Sequence, residues 1–341
     1  MINCAIIGFG KMGQIRANSI NESGRGKIKL IYDPYSKSDL INLYAKETNN
    51  LDEIINNKEI DAIFICTPNY KIPFLTIRAL ESQKNVFSEK PPGFTSKDVQ
   101  EIRKSELKSK TKCMFGFNHR HHKSIKMMKE IIISNELGKI LWMRGRYGKE
   151  VNKTFFKSWR ADPKKSGAGI LLDQGIHMLD LLIHLGGNFD ICHSLISNLY
   201  WKIPKLEDNA FVLLKQSSSG LCASFHSTMT QWRYLFALEV FLEKGSLILN
   251  GLKTTSGAYG EECLAIKRNL EVDNSSSPYV DQQYTFRVDS SWDDEIKHFF
   301  DAIEYGSQIE FGNTKDALNL MKHIDSIYKS DNRSLNNALD I

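Results

Sequence analysis

A short apolar run at the start of the chain leads straight into a glycine fingerprint: Cys4-Ala5-Ile6-Ile7-Gly8-Phe9-Gly10-Lys11-Met12-Gly13. A G-x-G-x-x-G placed between a strand pattern and a helix pattern is the order that a dinucleotide site needs. Gly8 permits the tight turn, Gly10 lets backbone approach a pyrophosphate, and Gly13 lets the helix sit close to the strand. The phosphates then meet the helix N-terminus, where unpaired N–H groups and the helix dipole favour negative charge. Phe9, Lys11 and Met12 complete the loop. A second apolar run, 28–32, ends at Asp33, 20 residues after Gly13. A carboxylate there accepts from both ribose hydroxyls and repels a 2′-phosphate. Pro34 and Tyr35 follow with no arginine to receive that phosphate, although Lys37 is nearby. NAD is therefore expected over NADP. A chance glycine turn explains the fingerprint alone, but not strand, helix and Asp33 in register.

The first 120 residues alternate in period. Strand patterns fall at 3–7, 28–32, 62–66, 85–87 and 112–117, and helix patterns at 11–21, 38–47, 51–56, 72–82 and 96–109. Such alternation implies a doubly wound parallel sheet. From about residue 123 the texture changes. A helix at 124–134 leads to strand patterns at 140–147, 191–201, 209–215, 221–229, 234–242 and 246–249, several of them separated by glycine and serine turns. These predict a large, mostly antiparallel open sheet, with an internal helix at 171–185 and closing helices at 292–305 and 315–329. The tract 257–283 is polar, serine-rich and read as a surface excursion. With 341 residues, two domains are expected: an α/β Rossmann domain over 1–120 and an α/β domain over 121–341, its last helices being candidates to return to the first.

Hydrophobic content of 41% and charged content of 25% are ordinary for a globular chain. The net charge of +5 is mild and spread out, so it implies no nucleic-acid partner. The six cysteines show no C-x-x-C spacing and read as reduced thiols of a cytoplasmic protein. No uninterrupted apolar run reaches the roughly 18 residues that would mark a membrane span. A strand pattern beginning at residue 2 leaves no room for a signal peptide.

Four further stretches carry chemistry. Cys66-Thr67-Pro68-Asn69 follows a buried strand at the sheet's carboxyl edge, where open α/β sheets bind ligands. Ser88-Glu89-Lys90-Pro91-Pro92 and Gly116-Phe117-Asn118-His119-Arg120 follow the next two strands. Gly167-Ala168-Gly169 then enters the internal helix with Asp173-Gln174-Gly175-Ile176-His177. Asp173 and His177 are four residues apart and share a helix face. A histidine titrating near neutrality can take a hydroxyl proton, and a lysine can stabilise the developing alkoxide. His119, His121 and His122 crowd together, but no carboxylate or cysteine stands at ligand spacing, so no metal is expected. Trp159-Arg160, near Lys153, Lys157, Lys164 and Lys165, forms a basic, partly aromatic loop.

With these stretches in this order after the fingerprint, the chain resembles the Gfo/Idh/MocA oxidoreductases, named for glucose–fructose oxidoreductase and inositol dehydrogenase, over nearly its whole length. The resemblance implies a Rossmann domain plus a domain whose open sheet often forms a dimer face, hence a homodimer or homotetramer. It implies a nicotinamide cofactor and hydride transfer at a secondary alcohol of a sugar or cyclitol. Its catalytic lysine falls on Lys90, and its paired acid and histidine on Asp173 and His177. Cofactor contacts are expected from the glycine loop, Asp33, Thr67, Pro68, Asn69, Glu89, Lys90 and Asn118. Substrate contacts are expected from Arg120, Trp159 and Arg160 together with Lys90, Asp173 and His177. Where the family commonly carries a histidine after Thr67-Pro68-Asn69, this chain has Ile72; Asp208 matches a family acid and reads as structural. The basic residues near the motifs favour a nucleotide sugar as substrate. The alternatives are a polyol or inositol-type dehydrogenase, an NAD-dependent glycosidase, or a non-enzymatic NAD-binding sensor.

Overall fold

The computed structural model describes residues 1–35, 45–254, 257–268 and 282–332. Two compact units emerge: Met1–Asn118 with Lys164–Gly167 and Ser291–Lys322, and His119–Pro163 with Ala168–Ser290 and His323–Ile341.

The first unit begins with β1 (Ile2–Ile7), α1 (Lys11–Glu22), β2 (Gly26–Tyr32), β3 (Lys46–Glu47), α2 (Leu51–Ile55) and β4 (Ala62–Ile65). It continues with α3 (Ile72–Glu81), β5 (Asn85–Ser88), α4 (Ser96–Ser109) and β6 (Cys113–Phe115). The strands line up as β3-β2-β1-β4-β5-β6, and every pair is parallel. β1 and β4 are buried almost throughout, as strands covered on both faces must be. The strand order reverses between β1 and β4, so the loops after these strands flank the crevice where such sheets take ligands. Of the helix expected at 38–47, residues 38–44 lie outside the described residues, and Lys46–Glu47 is a strand instead. Two residues are too few for period to register, and pairing with β2 decides the matter.

The second unit opens with α5 (Lys123–Ser134), β7 (Ile140–Glu150) and a single turn, α6 (Pro163–Ser166), which belongs mainly to the first unit. The internal helix starts as a π-helical turn over Leu171–Gly175 and continues as α7 (Ile176–Gly186). Then come β8 (Ile191–Ser197), β9 (Asn209–Lys215), β10 (Cys222–Thr228), β11 (Thr230–Leu242), β12 (Gly245–Asn250), β13 (Glu262–Arg268) and β14 (Gln282–Phe286). They form an eight-stranded sheet in the order β14-β13-β12-β11-β7-β10-β9-β8. All pairs are antiparallel except β7 with β10. The excursion read at 257–283 is corrected at both ends: Leu264 and Ile266 bury one face of β13, which pairs with β12 and β14. So short an alternation, followed by a serine run, left little signal in sequence. Residues 269–281 lie outside the described residues. One helical stretch, 163–186, is long and apolar enough to cross a membrane by length and composition, whereas the sequence reading found none; 78% of its most apolar window is buried, as in a core helix.

The chain then returns to the first unit with α8 (Ser291–Glu304) and the start of α9 (Thr314–Ser330). Phe299 and Phe300 of α8 join Phe64 and Phe87 in the core under the parallel sheet, with Phe64 edge-on to both. Arg16 of α1 lies fully buried beside them. Its Nε donates to Glu89 Oε1 at 2.7 Å, its Nη1 meets Glu295 Oε2 at 2.7 Å, and its guanidinium lies 4.3 Å from the Phe87 ring centroid. Breaking a buried ion pair from one side leaves uncompensated charge and costs about 3–5 kcal/mol. Arg16→Met should therefore lower unfolding free energy by about that amount in urea titration; a change below about 1 kcal/mol would show that the carboxylates find other partners.

Candidate active site

In the first unit the fingerprint builds a tight, open-sided loop. Gly8 has φ +94°, and a Cβ there would meet the Cys66 carbonyl oxygen at 2.6 Å. A Cβ on Gly13 would meet the Gly8 carbonyl oxygen at 2.2 Å. Only glycine fits either place. Gly10 is the opposite case: a Cβ there meets nothing within 4 Å. Gly10 is also the N-cap of α1, with no side-chain cap, so helix N–H groups face outward without a protein partner of that kind. Phe9 is buried in the core, Lys11 is exposed and Met12 half-buried.

Asp33 leans on this loop. Its Oδ2 accepts from the Phe9 backbone N–H at 2.6 Å and its Oδ1 from that of Tyr35 at 2.8 Å. Two backbone donors fix the carboxylate beside the fingerprint. On the β4 side, Thr67 Oγ1 is buried without a hydrogen-bond partner, Pro68 is half-buried, and Asn69 Nδ2 donates to the Ser166 carbonyl at 2.8 Å. An uncapped helix N-terminus, an open Gly10, an orphan hydroxyl and an oriented carboxylate fit a dinucleotide.

The next loop holds Lys90, half-buried, with a cis bond to Pro91. Glu89, expected among the cofactor contacts, is buried, and its carboxylate is tied to Arg16. Its work is to anchor the residue before Lys90. Asn118 is buried, its Nδ2 donating to Ser291 Oγ at 3.1 Å.

In the second unit, Asp173 sits on the π-helical turn and His177 one turn on, at the start of α7. Asp173 is ion-paired to Lys149 of β7 through Nζ and Oδ2, and Arg160 Nε lies 3.7 Å from its other oxygen. Arg160 also lies over the Trp159 ring at 4.4 Å. His177 is buried and stacks on His119, with centroids 4.0 Å apart and planes 12° from parallel. His119 Nε2 is 3.0 Å from the Tyr147 hydroxyl. Burial holds the Tyr147 and Tyr259 phenols protonated far above their ordinary range, and the charge of Asp173 adds to it.

Arg120, expected to touch substrate, is buried and grips Asp180 with two parallel bonds, Nε to Oδ2 at 2.8 Å and Nη2 to Oδ1 at 2.5 Å. Two parallel charge-assisted bonds fix the plane of the guanidinium. Nearby, burial and then the charges of Arg120 and Lys129 push His184 down to about 3. Of the crowded histidines, His122 Nδ1 donates to Glu262 Oε2 at 2.8 Å. Glu207 went unread in the sequence. It is buried and accepts from the N–H groups of Gly169 and Leu171 at 2.9 and 3.0 Å and from Tyr328 Oη at 2.8 Å, so it caps the start of the helix that carries Asp173 and His177. Burial raises its carboxyl despite those donors. Asp208 accepts from the backbones of Leu199, Tyr200 and Trp201, a loop anchor.

Two family models account for most of the chain: "Oxidoreductase family, NAD-binding Rossmann fold" matches residues 2–117, and "GFO/IDH/MocA C-terminal domain" matches 125–248. The chain belongs to the GFO/IDH/MocA oxidoreductase family. Its first unit is an NAD-binding Rossmann domain. Among its relatives, the inositol 2-dehydrogenase of Rhizobium meliloti is 23% identical, over 90% of each chain. Glucose-6-phosphate 3-dehydrogenase of Bacillus subtilis is 26% identical over 61% of this chain and 60% of that one. A solved structure of levoglucosan dehydrogenase in complex with NADH superposes with a TM-score of 0.85 at 19% identity, covering 97% of each chain, which shows the shared fold.

A carboxylate fixed at this place is expected to favour NAD over NADP. Titrated by quenching of intrinsic fluorescence, the protein should bind NADH more tightly than NADPH, and Asp33→Ala should narrow the gap. Tighter binding of NADPH by the unmodified protein would overturn this assignment.

Proposed function

We propose that the protein is a dehydrogenase of a sugar or polyol, in which Lys90, Asp173 and His177 act on a secondary hydroxyl. The observation that carries this reading is the pairing, on one helix of the second unit, of a charge-held carboxylate with a buried histidine one turn on. In the first unit, Lys90 sits on the carboxyl edge of the parallel sheet, the edge that carries the fingerprint. The names of the relatives, inositol 2-dehydrogenase and levoglucosan dehydrogenase, support a hydroxylated, small substrate.

The α1 N-terminus would hold the pyrophosphate of NAD and Asp33 the ribose hydroxyls. When bound, the nicotinamide supplies the acceptor for hydride. His177 takes the hydroxyl proton on its imidazole as hydride leaves the carbon. The Lys90 ammonium donates to the same oxygen and stabilises the charge that develops there. Asp173 orients and electrostatically balances the site. Lys90→Met and His177→Ala should each lower kcat by about 10²–10⁴, the usual worth of a positioned acid–base group, while NADH binding persists. Near-normal turnover in either variant removes that residue from the mechanism.

A phosphorylated or nucleotide sugar is the second reading. Its support is Trp159 with Arg160 stacked beside it, a ring and a guanidinium that can meet a base and a phosphate. Arg120 is paired with Asp180 and Arg160 with Asp173, so both cations already have acidic partners, which favours a neutral substrate. A panel of myo-inositol, levoglucosan, glucose 6-phosphate and a UDP-hexose, scored for NADH formation and product mass, separates the two. Turnover of the neutral compounds, with any loss in Arg160→Ala equal across the panel, is the expected result. Turnover confined to phosphorylated compounds, and lost in Arg160→Ala, would put the second reading first.

We also propose a homodimer or higher assembly through the open face of the eight-stranded sheet. Leu195, Phe211 and Leu213 of β8 and β9 are 73%, 52% and 60% exposed on that face, a patch that favours burial. Sedimentation should give at least a dimer mass; a monomer at all concentrations would contradict this.

A further inference from the structure

β7 presents two residues, Tyr147 and Lys149, from the same face of the strand, and both reach the catalytic helix. Residues i and i+2 of a strand stand about 6.7 Å apart. Residues i and i+4 of a helix stand about 6 Å apart along its axis. The two spacings match, so one strand can support both functional positions on the helix. Tyr147 does so at the histidine: its hydroxyl is 3.0 Å from His119 Nε2, and its ring centroid lies 6.2 Å from that of His177. Lys149 does so at the acid, where its ammonium is paired with Asp173 Oδ2. Lys149 is 8% exposed, so little water competes with the pair, and its Nζ also lies 5.4 Å from the Phe155 ring centroid.

We propose that Lys149 is a positioning residue for the dehydrogenase reaction: it holds Asp173 ionised and turned toward β7, and by offsetting that charge keeps His177 from being protonated too readily. The proposal rests on the assignment of His177 as proton acceptor.

The electrostatic surroundings support it. An uncompensated carboxylate one turn away would favour imidazolium. Around Asp173 stand Lys149 of β7, Arg160 of the loop after it, and the Tyr147 and Tyr259 phenols, with Tyr234 beside Tyr259. Around His177 stand His119 and Tyr147. Glu207 faces the helix start and is satisfied there by Gly169, Leu171 and Tyr328; Asp180, further along, is matched by Arg120. Arg160 is 40% exposed at its side chain and 3.7 Å away, and so is screened by water. Lys149 is the closer and drier of the two cations.

The test reads the imidazole directly. Full-length protein carrying ¹⁵N-histidine is titrated by NMR, with the His177 signal assigned from its loss in His177→Gln. Lys149→Met should raise the His177 midpoint by about one pH unit, a tenfold change in its proton equilibrium. Lys149→Arg, which keeps the charge, should leave it near the original value, and Asp173→Asn should lower it. If Lys149→Met does not fold, Lys149→Gln serves for the same comparison. A midpoint unmoved in the charge-removing variant overturns the proposal, as does an equal shift in the arginine variant. The acidic limb of kcat/KM with the neutral substrate of the panel above should move with the midpoint. A midpoint that moves while His177→Ala keeps its turnover would instead overturn the parent assignment and leave the electrostatic link standing.

Discussion

The buried guanidinium of Arg16 holds the first unit's machinery together. It belongs to the helix that the glycine fingerprint opens, and it is matched by Glu89 just before Lys90 and by Glu295 of a helix some 280 residues away in sequence. A charge this deep is tolerated only with partners in place. One interaction therefore fixes the phosphate-facing helix, the lysine loop and α8 relative to one another. Phe87 and Trp292 lie on either side of the guanidinium at 4.3 and 4.7 Å and exclude water from it. Glu89 is a member of this network.

The second unit uses the same device on a different scale. Its helix carries two acids, and each has a cation: Asp173 is matched by Lys149, and Asp180, two turns further on, by Arg120. Glu207 closes the helix start by taking two N–H groups that have no partner within the helix. The π-helical turn over Leu171–Gly175 lies between that cap and His177. Such turns often accompany function because they displace one side chain from the regular helical row. The stack of His119 on His177 fixes the ring plane, and the Tyr147 hydroxyl bears on the nitrogen of His119. Orientation of the candidate base is thus set by an aromatic contact and a phenol, neither of which belongs to the Asp-x-x-x-His pattern.

Much of the fold was legible because its signals are local. Period-two and period-3.6 apolar patterns, with glycine turns between, located α4 at residues 96–109 and β9 at 209–215 to the residue. The parallel order followed from strand–helix alternation. Where the signal was short the reading failed: two residues at Lys46–Glu47 take a strand from their neighbour β2, and Leu264 and Ile266 are too few to outweigh a serine-rich surrounding. Arg120 looked like a ligand residue because a sequence shows a charge and not its partner. Asp180, 60 residues on, gave no sign of claiming it.

The amino-acid order by itself determined the class of protein: the fingerprint, Asp33 after the second strand, Lys90 after the fourth expected strand, and Asp173 four residues before His177. Those depend on neighbours within a turn or a strand, where spacing alone dictates which groups share a face. Only the tertiary structure decided how the charges are distributed among partners. Arg16 goes to Glu89 and Glu295, Arg120 to Asp180, and Lys149 to Asp173. Each of these joins residues distant in sequence, and burial makes the pairing obligatory, because a lone charge in a dry interior costs far more than the pair.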